Sequence, residues 1–568
     1  MSRTHDRSRD LINSMRHKSL PVFVLLLLVS GCGPSAVNAQ SDPYASGGVL
    51  SPEQAAFDVT FYDLDLRVDP ADSTIGGSLT AVARIVHPTS DLVLDLDPIL
   101  QVEGVTLVDI EREQEVAFRR DEGKLWIDLL TTRQPQSSVA VRVTYGGRPR
   151  IAPRPPWDGG FTWARTPAGE PWIATSCQVN GADVWWPVKD HPADEPDSMA
   201  IHITVPEPLI VASNGRLEGV TSSSSGWKTF HWFVSTPINV YNVALNIAPY
   251  RVIEDTHVGP NDDVYPVAFY VLPSDYEKGV RFMAEIHDHL RFFEETIGPY
   301  PFSDDKYGVA QTPHLGMEHQ TIIAYGAGFD NTAMTGRDWG FDALHHHELS
   351  HEWWGNLVTN VDWSDMWIHE GFGTYMQALY MERLEGMQGY HAYMQGMRGG
   401  ITNQRPVAPR RKLNSVEVYN GDIYSKGAWI LHTLRYLMGD EPMAAFLRRM
   451  AYPDPDAQVD SAGCRCRFVS TDDALFTAEA IDGRDLDWFF DVYLRQEDLP
   501  RLVARRNGAD LHLQWEVPDG LSFPMPVPVQ IDGEIHHVEM ADGSATIRIP
   551  EDVEPDIDPE GWLLREAE

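Results

Sequence analysis

Cysteine is scarce, with 4 residues in a chain of 568: Cys32, Cys177, Cys464 and Cys466. Their spacing supplies neither a disulfide framework nor the two C-x-x-C pairs of a structural zinc ribbon. Cys464 and Cys466 stand two apart, too close for an unstrained bridge, and read as plain loop residues. Positive charge is also in short supply, since 45 Lys and Arg face 83 Asp and Glu for a formal net charge of -38. Phosphate binding needs a basic footprint, so this balance excludes nucleic acid as a partner. The apolar run at 21–29 (PVFVLLLLV) falls far short of the roughly 20 residues a spanning helix requires. Internal repeats and long low-complexity tracts are missing too, which excludes a solenoid.

The run at 21–29 follows Arg16 and Lys18 and reads as an export signal rather than a membrane anchor. Its end, Val29-Ser30-Gly31-Cys32, resembles a bacterial lipobox, in which Cys32 would carry the lipid; the alternative is cleavage after Ala39. The expected location is therefore outside the cytoplasm, on the periplasmic or cell-surface side, anchored through Cys32 or else secreted.

A content of 43% hydrophobic and 10% aromatic residues is that of a globular chain, and the length suggests about three or four domains. After the signal (1–31) and a small, polar tether (32–52), strand patterns dominate 53–252, as at 58–66, 92–96, 139–143 and 201–205. From 253 to 500 the period turns helical. Met283, Ile286, Leu290, Phe293 and Ile297 repeat at steps of three and four, with Ser274 and Glu277 as a capping box and Gly298-Pro299 as the stop. Short strands return in 501–568. The expected class is α+β multidomain: a large antiparallel β domain, a mostly helical domain and a small β-sandwich.

The chemistry concentrates in 341–378, FDALHHHELSHEWWGNLVTNVDWSDMWIHEGFGTYMQA. His347 and His351 stand four apart, so one helix face can aim both rings at a single metal ion. Glu370, which follows His351 after eighteen intervening residues, can reach in from a second helix beginning near Asp365 as third ligand. The fourth position stays open for water, the mark of a catalytic site, and Glu348 stands beside it. Two His and a carboxylate make zinc the default, with one ion expected. His345 and His346 lack this spacing and are expected at the surface or behind the ligands.

HELSHEWWGNLVTN followed by MWIHEGFGTYM resembles the aminopeptidase N family of gluzincin metallopeptidases, which includes the leukotriene hydrolases. The resemblance covers nearly the whole chain after the signal. It implies a thermolysin-like catalytic domain, a chain short of the helical C-terminal domain of longer members, and peptides as substrates. It further implies that Glu318, in His314-Leu315-Gly316-Met317-Glu318-His319-Gln320, and Gln178 hold the substrate amine, and that Tyr424 donates to the oxyanion, with Tyr419 as a second tyrosine. Leu315, His319 and His369 depart from the family's Gly, Asn and Asn. A zinc aminopeptidase is the expected function. A zinc endopeptidase or an epoxide-opening hydrolase on the same site is the alternative, and a catalytically inactive surface lipoprotein the third reading.

Overall fold

Strand Phe57–Asp69 carries the alternation expected at 58–66, but a bulge resets it. Its register against Thr74–Ile85 slips between Val59 and Phe61. One extra residue moves every later side chain to the opposite face, so Tyr62, Leu64, Leu66 and Val68 turn inward while Phe61 does not. In this computed structural model, residues 45–109, 112–453 and 466–566 are described. The export signal, Cys32, the tether as far as residue 44, and Cys464 lie outside them.

Phe57–Asp69 lies inside an eight-stranded sheet, antiparallel to Thr74–Ile85 and parallel to Ser198–Pro206. A three-stranded and a four-stranded sheet complete this β-rich region. The strand Pro171–Ser176 of the four-stranded sheet delivers Cys177 and Gln178 to its end. Cys177 is a buried free thiol that donates to the Tyr241 carbonyl at 3.2 Å.

The next sheet has five strands, in the order Arg251–Val258, Val264–Val271, Tyr307–Gln311, Ile323–Tyr325 and Gly316–Met317. Helix α1, Tyr276–Thr296, crosses between the parallel strands Val264–Val271 and Tyr307–Gln311, and buries Met283, Ile286, Leu290 and Phe293 as the period predicts. The expected capping box does not form. A 3₁₀ turn, Pro273–Asp275, leads into the helix, so Asp275 takes the N-cap position and Ser274 only reaches the Asp275 carboxylate, at 3.5 Å.

Four further helices frame the site: α2 (Ala343–Ser350), α3 (Trp367–Met397, interrupted at Gly386), α4 (Ser415–Val418) and α5 (Ser425–Met438). Glycines decide how closely they meet. An added Cβ at Gly427 of α5 would sit 2.9 Å from Gly371 Cα of α3, and one at Gly373 would sit 2.6 Å from Ser350 Oγ of α2. Neither approach tolerates a side chain, since backbone stands directly opposite at the first. Beyond α3, an Asn414–Glu417 capping box fixes α4, and the Ser415 hydroxyl donates to the Val179 carbonyl next to Gln178. The last part of the chain forms two three-stranded sheets, with strands Asp510–Glu516, Val527–Ile531 and Ser544–Arg548 where sequence periodicity places them. Cys466 is disulfide-bonded and so is not the plain loop thiol expected.

The Gly371–Gly427 contact has a measurable consequence. Gly427→Val forces α3 and α5 apart and costs about 1–3 kcal/mol by overpacking. Thermal unfolding should register that loss, while Gly104→Ala, where nothing lies within 4 Å of the new Cβ, should melt like the wild type. Equal melting of all three proteins would refute the close-approach account.

Candidate metal centre and cleft

The Asp342 carboxylate caps α2 by accepting the His345 N–H at 3.0 Å. The helix runs only to Ser350, and His351 ends it. The His351 Nδ1 lies 2.8 Å from the Trp354 carbonyl, which can only accept, so Nδ1 carries the proton and Nε2 keeps its lone pair. That Nε2 stands 3.2 Å from His347 Nε2 and 3.5 Å from Glu370 Oε2, and His347 Nε2 stands 3.4 Å from the same oxygen. Glu370 comes from the first turn of α3. Its Oε2 is buried without a hydrogen-bond partner, while Oε1 accepts from Tyr424 at 3.0 Å and from Gln178 at 3.1 Å. Burial opposes ionisation of Glu370, but the two imidazoles beside Oε2 and the Gln178 amide on Oε1 outweigh it and hold the carboxyl below its ordinary range. Two imidazoles and an ionised carboxylate converging on one buried point fit a divalent cation of the borderline class, with second bonds that fix the orientation of His351 and Glu370.

These ligands open onto a cavity of about 260 Å³. Glu348 lies against its wall, where the edge strand Gly316–Met317 passes so near that a Cβ on Gly316 would sit 2.2 Å from Glu348 Oε1. Burial first, then the charges of Glu318 and Glu370, push Glu348 well above the usual carboxylate range. Glu318 is likewise raised, by burial and then by Glu370. Its Oε1 accepts from Gln178 Nε2 and, at 3.1 Å, from the Tyr241 hydroxyl. The Tyr424 hydroxyl stands 2.9 Å from that of Tyr419. All seven residues singled out in the sequence therefore meet at one cavity: Gln178, Glu318, His347, Glu348, Glu370 and Tyr424 line it, and His351 stands directly behind. Three carboxylates face this space, and no lysine or arginine among the described residues lines it.

Some expectations need correction. Of the two places expected for His345 and His346, the surface is excluded: both are fully buried, on the side of α2 facing α1. His345 bridges His289 Nδ1 at 2.8 Å and the Tyr307 hydroxyl at 2.9 Å, and His346 packs among Phe292, Phe293 and Tyr380. The reason is that α2 is enclosed on all sides, so position on the helix does not decide exposure. His369 accepts the Asn360 N–H at 3.0 Å, and burial pushes its pKa down to about 3, so it serves as a neutral acceptor. His319 is buried behind Glu318, and burial pushes it down to about 3 as well. Tyr241, Gly316, Met334 and Trp157 belong to the cleft but carry no sequence signal.

Comparison with known proteins identifies the family and the fold. The model described as peptidase family M1 domain matches 282–452, and that of the peptidase M1 N-terminal domain matches 59–241. The chain is similar to leucine aminopeptidase 2 of Vanderwaltozyma polyspora, 24% identical over 58% of this chain and 48% of that protein. It is also similar to aminopeptidase M1-B of Oryza sativa, 22% identical over 82% and 53% respectively. The chain thus spans about half the length of these curated relatives. Among solved structures, a mutant form of an M1 zinc metallopeptidase of Deinococcus radiodurans, bound to a Tyr-Ser-Ala substrate, shares the fold with a TM-score of 0.65 at 24% identity, covering 80% of this chain and 98% of that one.

Metal analysis separates the ligands from their neighbour. Glu348→Gln keeps shape and all three ligand atoms and should retain one divalent ion per chain. His351→Ala should bind it at least about tenfold more weakly. Loss of the ion from Glu348→Gln, or full retention by His351→Ala, would contradict the assignment.

Proposed function

Because the chain belongs to peptidase family M1, we propose that it is a zinc aminopeptidase, which hydrolyses the first peptide bond of peptides with a free N-terminus. One observation carries the exopeptidase reading: Glu318, Glu348 and Glu370 share a cavity that no lysine or arginine among the described residues lines. A divalent ion and one ammonium group balance three carboxylates, whereas an internal stretch of peptide brings no charge to the site. Burial makes that compensation strong, because uncompensated charge in a water-poor cavity is costly.

Zinc held by His347, His351 and Glu370 would supply Lewis acidity toward water and the scissile carbonyl. The rest follows from this chain's own groups. Glu318, steadied by Tyr241 and by Gln178, accepts hydrogen bonds from the α-ammonium and so sets the distance from the amine to the first carbonyl. Glu348, raised by its surroundings, takes a proton from the attacking water and returns it to the leaving nitrogen. The Tyr424 hydroxyl, now on Glu370 Oε1, is within reach to turn toward the developing oxyanion, a donor usually worth about 2.7–4 kcal/mol. The edge strand Gly316–Met317 lines the cavity and offers backbone groups to an extended substrate.

The test compares a short peptide with its N-acetyl form. The wild type should cleave the free peptide one residue at a time from its N-terminus and refuse the blocked one. Glu318→Ala should lose both turnover and apparent affinity for the free peptide while keeping its metal. Equal cleavage of both forms, or internal cuts in an unfolded protein, would transfer the chain to the endopeptidases.

A further inference from the structure

Outside the cavity, the edge strand Arg251–Val258 and helix α1 bring together two other histidines. His257 and His287 place their Nδ1 atoms 2.9 Å apart, with ring planes within 15° of each other. The far nitrogen of each ring faces a carboxylate: His257 Nε2 lies 2.9 Å from Glu294 Oε2, and His287 Nε2 lies 3.2 Å from Asp255 Oδ2. Glu294 is further oriented by the Tyr265 hydroxyl, which donates to Oε1 at 2.9 Å.

Proton accounting gives this arrangement its meaning. A carboxylate has no proton to give, so each Nε2 carries a hydrogen, and a neutral ring then presents a lone pair at Nδ1. In neutral rings two lone pairs then lie 2.9 Å apart, a repulsive pairing that a cation bound by both nitrogens relieves. We propose that His257 and His287 form a second metal site, for a copper(II)- or nickel(II)-class ion, with water completing its coordination.

Three features favour an ion over a shared proton. Metal-binding histidines characteristically donate their second N–H to a carboxylate, and here both do. With metal–nitrogen bonds of about 2.0–2.1 Å, a separation of 2.9 Å corresponds to an N–metal–N angle of about 90°, which suits square-planar or octahedral ions better than tetrahedral zinc. Burial, followed by the neighbouring ring's charge, lowers the proton affinity of His287 despite its Asp255 hydrogen bond. Access is open on one side, since the side chains of His257 and Glu294 are 3% exposed but those of His287 and Asp255 are 17% and 54% exposed. The pair His202 and His231 is an internal contrast. Its Nδ1 atoms are also 2.9 Å apart, but the far nitrogen of His231 meets the Thr221 hydroxyl, which can supply a proton itself. That pair can therefore be satisfied as an ordinary hydrogen bond.

Copper(II) titration of untagged, zinc-loaded protein, followed by calorimetry and electron paramagnetic resonance, tests the proposal. The wild type should take up one more equivalent than His287→Ala, with a spectrum showing two nitrogen ligands, and His202→Ala should behave like the wild type. Asp255→Asn, a substitution at an exposed side chain, should keep the site but weaken it about 10- to 100-fold, and it serves as the probe should His287→Ala fail to fold. Copper uptake that is unchanged in stoichiometry and affinity in His287→Ala, or in Asp255→Asn where that variant stands in, would show that the two rings share a proton and overturn the proposal.

Discussion

Three acceptor atoms with nothing to donate to one another meet inside this molecule: Nε2 of His347, Nε2 of His351 and Oε2 of Glu370. Their convergence is unfavourable without a cation, and the surrounding structure exists to enforce it. The short α2 ends where the second histidine is needed, and its Nδ1 is pinned to the Trp354 carbonyl. Gly373 lets α3 approach α2, and Gly371 lets α5 approach α3, which brings Tyr424 to Glu370. Preorganisation of this kind spends folding energy so that the ligands need not rearrange when the ion binds.

The same electrostatic logic extends one shell outward. Gln178 comes from the β-rich region, and its amide spans the carboxylates of Glu318 and Glu370. The group that bounds the amine end of the cleft therefore also steadies a metal ligand. The β-rich region and the helical region jointly build the site, and Ser415 of α4, bonded beside Gln178, closes the connection. The carboxylates of this cavity favour positive charge, and Trp157, Met317 and Met334 add apolar lining beside them.

How much of this could be read from sequence divides by range. The i, i+4 histidines follow from helix geometry alone, and the core face of α1 follows from its period, because both are local rules. Gln178, Glu318 and Tyr424 look ordinary one at a time; only the family resemblance marks them, since 140 residues separate Gln178 from Glu318. The bulge at the start of Phe57–Asp69 was illegible because it depends on the partner strand's register. Whether His345 and His346 lie at the surface or inside could not be decided from sequence, because Phe292, Phe293 and Tyr380, which enclose His346, come from two other helices. The capping box failed for a nearer reason: the 3₁₀ turn Pro273–Asp275 took Ser274 and left Asp275 at the N-cap. Tyr241, which steadies Glu318 from the β-rich region, carried no signal at all.

The central claim is that His347, His351 and Glu370 share one ion, and anomalous diffraction at the zinc edge from crystals of the purified protein tests it most directly. The account predicts a single strong peak about 2.0–2.2 Å from each of the three ligand atoms, with an open position facing Glu348. A peak bound elsewhere, or density placing Glu370 outside the coordination sphere, would contradict it.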